Sequence, residues 1–178
     1  MNRRKFIQNS ALTTSALAMT SVSGSAMSST TTSKYDFKLK YAPHLGMFKH
    51  NAGDDPIDQL KYMADQGFTA FEDNGMKKRE VALQEKMAKT MQQLGIEMGV
   101  FVAHTIYWTK PNLASGDKDL RAEFLKEIKE SVEVAKRVNA KWMTVVPGHV
   151  DMRLKKSYQT ENVSESVRQA SEILEPHG

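Results

Sequence analysis

The 178-residue chain contains no cysteine, which excludes disulfides, thiolate metal sites and cysteine nucleophiles. It also lacks a long apolar run: crossing a bilayer takes about 20 mostly apolar residues, and the nearest candidate, Ala11 to Val22, is interrupted by Ser and Thr. No Gly-rich phosphate loop and no nucleophile elbow occurs. Charge of one sign is missing as well. The formal net charge is +4, but Arg3, Arg4 and Lys5 are the only charged residues of the first 26, so the rest of the chain stands at +1. Its charges are interspersed rather than gathered on a face, which gives no electrostatic footprint for nucleic acid.

What is present at the N-terminus is a pair of arginines in Asn2-Arg3-Arg4-Lys5-Phe6-Ile7, ahead of that weakly apolar, hydroxyl-rich stretch and of small residues Gly24-Ser25-Ala26. This is the layout of a twin-arginine export signal with a cleavage site, and it predicts a periplasmic or otherwise exported protein handled by the twin-arginine machinery, without a permanent membrane anchor. Absence of cysteine suits a pathway that moves folded chains. We read residues 1–26 as the signal, 27–37 as a flexible linker of too little apolar content to pack, and 38–178 as one folded domain.

Within that domain, short apolar runs alternate with longer stretches of helical period, an order that argues for a parallel sheet covered by helices. The expected strands are Leu39–Ala42, Ala70–Glu72, Met98–Val102 and Trp142–Val146. The first helix has Asp55 as N-cap, Pro56 at its first position and Ile57, Leu60 and Ala64 on one face. A second runs from Glu80 to Leu94, with Gly95 as its left-handed stop. Leu120, Phe124, Ile128, Val132, Ala135 and Val138 mark a third, and a fourth is expected from Thr160 through Leu174.

The connections are unequal. Helix-to-strand links such as Gln66-Gly67-Phe68 are minimal, whereas strand-to-helix links are long and carry His, Trp, Asn and Pro. In a β/α barrel those long links build the active face, so the site is expected in loops 44–55, 73–79, 104–117 and 147–157.

Met63-Ala64-Asp65-Gln66-Gly67-Phe68-Thr69-Ala70-Phe71-Glu72 resembles the helix-one to strand-two passage of the xylose isomerase-like TIM barrel superfamily. Tyr41-Ala42-Pro43-His44, Gly99-Val100-Phe101-Val102-Ala103-His104 and Ala140 to Gly148 extend the resemblance over residues 38–178, closest to hydroxypyruvate isomerase-like proteins. It implies an α/β (β/α)8 barrel of which about the first four β/α units are present. It also implies an isomerase or epimerase of a small carbohydrate or keto acid, working by proton transfer through an enediol, with a divalent ion (Mg, Mn or Zn) in the full-length protein and a homo-oligomeric state. The family's main catalytic glutamates and most of its metal ligands belong to strands five to eight, so this chain alone is expected to be inactive. Strand one ends in Pro43-His44 where hydroxypyruvate isomerases more often carry an Asn-Leu-Ser ending.

Enediol chemistry needs a base of tuned pKa and donors at the developing oxyanion. Glu72 is the catalytic candidate. His44, His104 and His149 each follow a predicted strand and, with Phe48 and Trp108, are the expected substrate-binding residues; Tyr107 is a further loop aromatic. His104 and His149 are the candidate metal ligands. Lys141 falls on the opposite face, and Pro147-Gly148 offers a sharp turn. Two other readings compete: a non-catalytic half-barrel that pairs through its open edges, and a metal-dependent phosphodiesterase of the endonuclease IV type.

Overall fold

The computed structural model describes residues 35–178; the twin-arginine segment and residues 27–34 of the expected linker lie outside the described residues. The elements run α1 (Lys49–Ala52), α2 (Pro56–Asp65), β1 (Ala70–Phe71), α3 (Val81–Leu94), β2 (Glu97–Met98), β3 (Val100–Val102), α4 (Lys118–Val138), β4 (Trp142–Thr144) and α5 (Lys156–Leu174). Among the described residues no helix is long and apolar enough to cross a membrane.

Local chemistry sets most helix ends. The Asp55 carboxylate accepts the Ile57 N–H at 2.7 Å, and Pro56 occupies the position where a missing N–H costs nothing. Asp117 caps α4 by accepting from Asp119 and Leu120. Gly95 closes α3 in the left-handed region at φ 67°, and Asn139 closes α4 at φ 53°. The last helix departs from expectation: it begins at Lys156, four residues before Thr160. There Gln159, buried, bonds back to the Asp151 N–H and to the Asp151 and Leu154 carbonyls, which holds the first turn against the loop.

All pairing between strands is parallel. Ala70 and Phe71 pair with Glu97 and Met98; Val100, Phe101 and Val102 pair with Trp142, Met143 and Thr144. The expected strand Met98–Val102 is thus two short strands that meet at Gly99. Met98 and Phe101 both enter the same core cluster although three residues apart, which a regular period-two pleat forbids. Gly99 absorbs the irregularity: its N–H donates to the Phe71 carbonyl at 2.7 Å, and a Cβ there would lie 3.0 Å from that oxygen.

Strand one is corrected more strongly. Leu39–Ala42 is not a strand; Leu39 and Tyr41 are exposed and Lys40 pairs instead with Glu97 at 2.8 Å. The chain joins the sheet only around His44, where the Pro43 carbonyl accepts the Glu72 N–H and the Leu45 N–H donates to the Glu72 carbonyl, both at 3.0 Å. Strand four stops at Thr144 rather than Val146, because the Val146 N–H is taken by a side chain. At the end of the expected linker, Phe37 stacks on Phe68 at 4.8 Å between centroids.

Two apolar clusters lie between strands and helices. Ile57, Leu60, Met63, Phe71, Met87, Met91, Met98, Phe101 and Val138 build the first; Ala103, Leu113, Phe124, Ile128 and Ala170 build the second. Each fully buried Leu or Phe contributes roughly 1.5–3 kcal/mol relative to exposure, so these faces position the strand ends.

Candidate active site

Alternation along the strands decides which side chains leave the core. Phe71 packs in the first cluster, so its neighbour Glu72 takes the other side of β1, and partly buried Leu45 follows His44 into the same cluster. His44 and Glu72 are backbone-paired across an isolated parallel bridge, where paired segments lie about 4.8 Å apart. The His44 Nδ1 donates to the Leu45 carbonyl at 2.6 Å, which leaves Nε2 unengaged among the described residues. Glu72 is half-buried and its carboxylate makes no bond within the described residues. Together they place one imidazole and one carboxylate across the isolated bridge just past the C-terminal end of β1.

A cavity of ≈ 380 Å³, lined by neither of them, opens between loops 73–79 and 104–117; its wall includes Asn74, Lys77, Lys78, His104, Trp108 and Glu127. His104, 4% exposed, is wholly engaged. Its Nε2 accepts the Val146 N–H at 3.1 Å, so Nδ1 must donate to the Thr105 carbonyl at 2.8 Å, and the ring meets Phe124 edge-on at 5.0 Å. Burial therefore pulls this imidazole below its usual pKa, against the weaker opposing pull of the Thr105 carbonyl. In this state His104 ties the ends of β3 and β4 together and shapes the wall with its ring, and neither nitrogen is free for a metal.

Glu127 of α4 accepts both the backbone N–H of Thr105, at 2.5 Å, and its hydroxyl, at 2.8 Å. Lys77, whose side chain is 16% exposed, donates to the Ala103 and Glu127 carbonyls at 3.1 and 3.0 Å and lies 3.5 Å from Glu130. Ser131 donates to the same Ala103 carbonyl at 2.6 Å. These bonds compensate the burial of the polar groups and fasten the end of β3 to α4. Below the loop, buried Asp73 pairs with Arg79.

The remaining expected residues are spread around the rim. Trp108 is 71% exposed and lines the cavity. His149 is exposed and meets Pro111 through an isolated bridge. Asp151, nearby, is held down to about 2 by its bonds from Arg153, which makes its carboxylate a weak base. Phe48 lies against Tyr62 and Phe68, at 5.3 and 5.7 Å, with its ring in the aromatic cluster. The Tyr107 hydroxyl donates to Glu123 at 3.0 Å. Lys141 is exposed ahead of β4, by a larger cavity of ≈ 700 Å³ on the helix side of that strand.

Among the described residues no three His, Cys, Asp or Glu side chains come together as a metal site. The engaged nitrogens of His104 agree with this. Sequence reasoning had marked the loop holding Asn74, Lys77 and Lys78 without singling those residues out. Glu127 sends no local signal, since its partner Thr105 is 22 residues away.

The family model described as xylose isomerase-like TIM barrel matches residues 60–178. Among solved structures, 3-keto-D-glucoside 4-epimerase from E. coli in its apo form is 18% identical with a TM-score of 0.57, over 78% of this chain and 53% of that one. A D-psicose 3-epimerase crystallised in the presence of D-fructose is 12% identical with a TM-score of 0.59, over 78% of this chain and 49% of that one. The chain thus spans about half the length of these structures, and what it shares with them is the fold, a partial β/α barrel. No curated protein sequence matches it.

Proposed function

The chain belongs to the xylose isomerase-like TIM barrel family, and from that premise we propose that it forms part of an isomerase or epimerase of small hydroxy-carbonyl compounds, hydroxypyruvate or a simple ketose. The observation that carries the reading is the pairing of His44 and Glu72 across an isolated parallel bridge, with an unengaged imidazole nitrogen and an unbonded carboxylate among the described residues. Similarity of fold to two sugar epimerases supports the same class.

In this reading one of the pair removes the proton from the carbon next to the substrate carbonyl. Electrons of that C–H bond form the enediol, and the proton returns to the neighbouring carbon or to the opposite face. Glu72 is assigned as the base that carries the proton between the two carbons, and His44 Nε2 as the group that takes the proton of the substrate hydroxyl and passes it to the carbonyl oxygen. Fold alone does not fix the chemistry, so the assignment rests on the strand-end pair. Export through the twin-arginine route, giving a periplasmic enzyme, belongs to the same proposal and is supported by Arg3-Arg4 and the stretch after it.

The test is solvent exchange. The protein purified from its native host is incubated in D2O with hydroxypyruvate, dihydroxyacetone or D-fructose, and deuterium at the carbon next to the carbonyl is followed by NMR. Glu72→Gln is expected to lower the rate by 10²–10⁴, the scale of general acid–base catalysis, and His44→Gln to lower it less. Exchange that persists unchanged in Glu72→Gln would overturn the assignment of the base. No exchange with any of the three would overturn the isomerase reading.

A further inference from the structure

His44-Leu45-Gly46-Met47-Phe48-Lys49-His50 sets an imidazole, a thioether and a second imidazole at three-residue intervals. The structure winds this segment tightly. The Met47 N–H donates to the His44 carbonyl at 3.1 Å, with Gly46 in the left-handed region at φ 99°, so His44 and Met47 are the two ends of one four-residue turn. The thioether folds back over that turn, where its Sδ accepts the His44 backbone N–H at 3.3 Å. The Lys49 N–H to the Gly46 carbonyl and the Asn51 N–H to the Phe48 carbonyl carry the winding into α1, so His50 stands one turn beyond Met47, at the spacing that makes side chains neighbours. Among the described residues the His44 Nε2 is unengaged, and exposed His50 has no side-chain partner.

A thioether is a soft ligand that stays uncharged at any pH, and with imidazole it suits Cu(I) rather than the hard dications held by oxygen. Accepting one N–H leaves the sulfur a second lone pair. We propose that His44 Nε2, Met47 Sδ and His50 bind one soft monovalent cation, Cu(I) or Ag(I). Met47 is 65% exposed and takes no part in either apolar cluster, and its three rotatable bonds let the sulfur move onto a cation without moving the backbone. The same spacing recurs at His149 and Met152, but Met152 is 88% exposed and its sulfur meets no donor among the described residues. Only the first pair has its sulfur already held beside the histidine. The site shares His44 with the proposed isomerase pair and does not rest on that reading, because binding is read without turnover.

The full chain, carrying methyl-labelled methionine, is titrated with silver nitrate in chloride-free buffer, and methionine methyl and histidine ring signals are followed by NMR. The Met47 methyl and the His44 and His50 rings are expected to shift together, at lower silver than Met152. Met47→Leu, with folding checked by circular dichroism, is expected to weaken silver binding at His44 at least tenfold, the lower end of what losing even an outer partner of a metal site costs. Zinc, which suits imidazole and carboxylate, serves as the contrast, since His44 and Glu72 could take it without the sulfur. Three results would each overturn the proposal: Met152 shifting at the same silver concentration as Met47, His44 binding silver as tightly in Met47→Leu, or zinc displacing silver at equal concentration. Silver binding with the expected signature in a chain that exchanges no substrate proton would sink the isomerase reading and leave this site standing.

Discussion

Replacing His104 by alanine should remove a fastener rather than a surface histidine. The imidazole accepts the Val146 N–H, donates to the Thr105 carbonyl and packs edge-on against Phe124. An N–H left without its acceptor costs about 1–3 kcal/mol and an aromatic pair contributes about 0.5–1.5 kcal/mol, so His104→Ala should lose about 2–4 kcal/mol in urea unfolding at pH 7.5. The pH dependence sharpens this. Burial lowers the folded-state pKa beneath the ordinary 6.5, so the unfolded chain takes up the proton first as pH falls. Stability from neutral His104 is therefore fully present above about 6.5 and is lost as pH drops through the folded-state value. On protonation, Nε2 would turn a second N–H toward that of Val146. Lys77 adds a like charge nearby, while Glu127 partly opposes it. Unfolding midpoints of wild type and His104→Ala, measured by circular dichroism at pH 7.5 and 5.5, should converge at the lower pH, with the other histidines cancelling between the two proteins. A stability gap equal at both pH values, or below about 1 kcal/mol at pH 7.5, would refute the account.

Two further outcomes follow from the geometry. Gly67→Ala puts a Cβ 2.0 Å from the Tyr35 carbonyl at φ 93°; a stability loss of about 1–2 kcal/mol should come with faster proteolysis across residues 35–41, as the Phe37–Phe68 stack opens. Arg79→Met strips the guanidinium from Asp73, which is 2% exposed. A loss of about 3 kcal/mol in chemical denaturation is expected, and adding Asp73→Asn should restore part of it.

The helices were legible because their ends are written locally: Asp55-Pro56 and Gly95 act through bonds to residues within one turn. Strand one was not, because Leu39 and Tyr41 have the composition of a strand while pairing is decided by what lies alongside, and Glu72 meets the chain at Pro43–Leu45. The start of α5 was hidden by Lys155-Lys156-Ser157, a loop-like composition that Gln159 overrides through three bonds to loop 151–154. Strand-end placement of His44, Glu72 and His104 could be read from the alternation of elements. The difference between His44, with a free nitrogen, and His104, with none, could not, since it depends on Val146, 42 residues downstream.

Gly99 gives the sheet a crease. On one side lie His44, β1 and β2, backed by the cluster of Phe71, Met87, Met91 and Met98; on the other lie the ends of β3 and β4, backed by Phe124, Ile128 and Ala170. Two strand pairs, each with its own apolar backing, meet there instead of running on as one unbroken ladder. Met143 packs against both clusters and serves as the rivet through the fold line. The seam between the two pairs therefore rests on a residue with no side chain, where any Cβ would press on the Phe71 carbonyl.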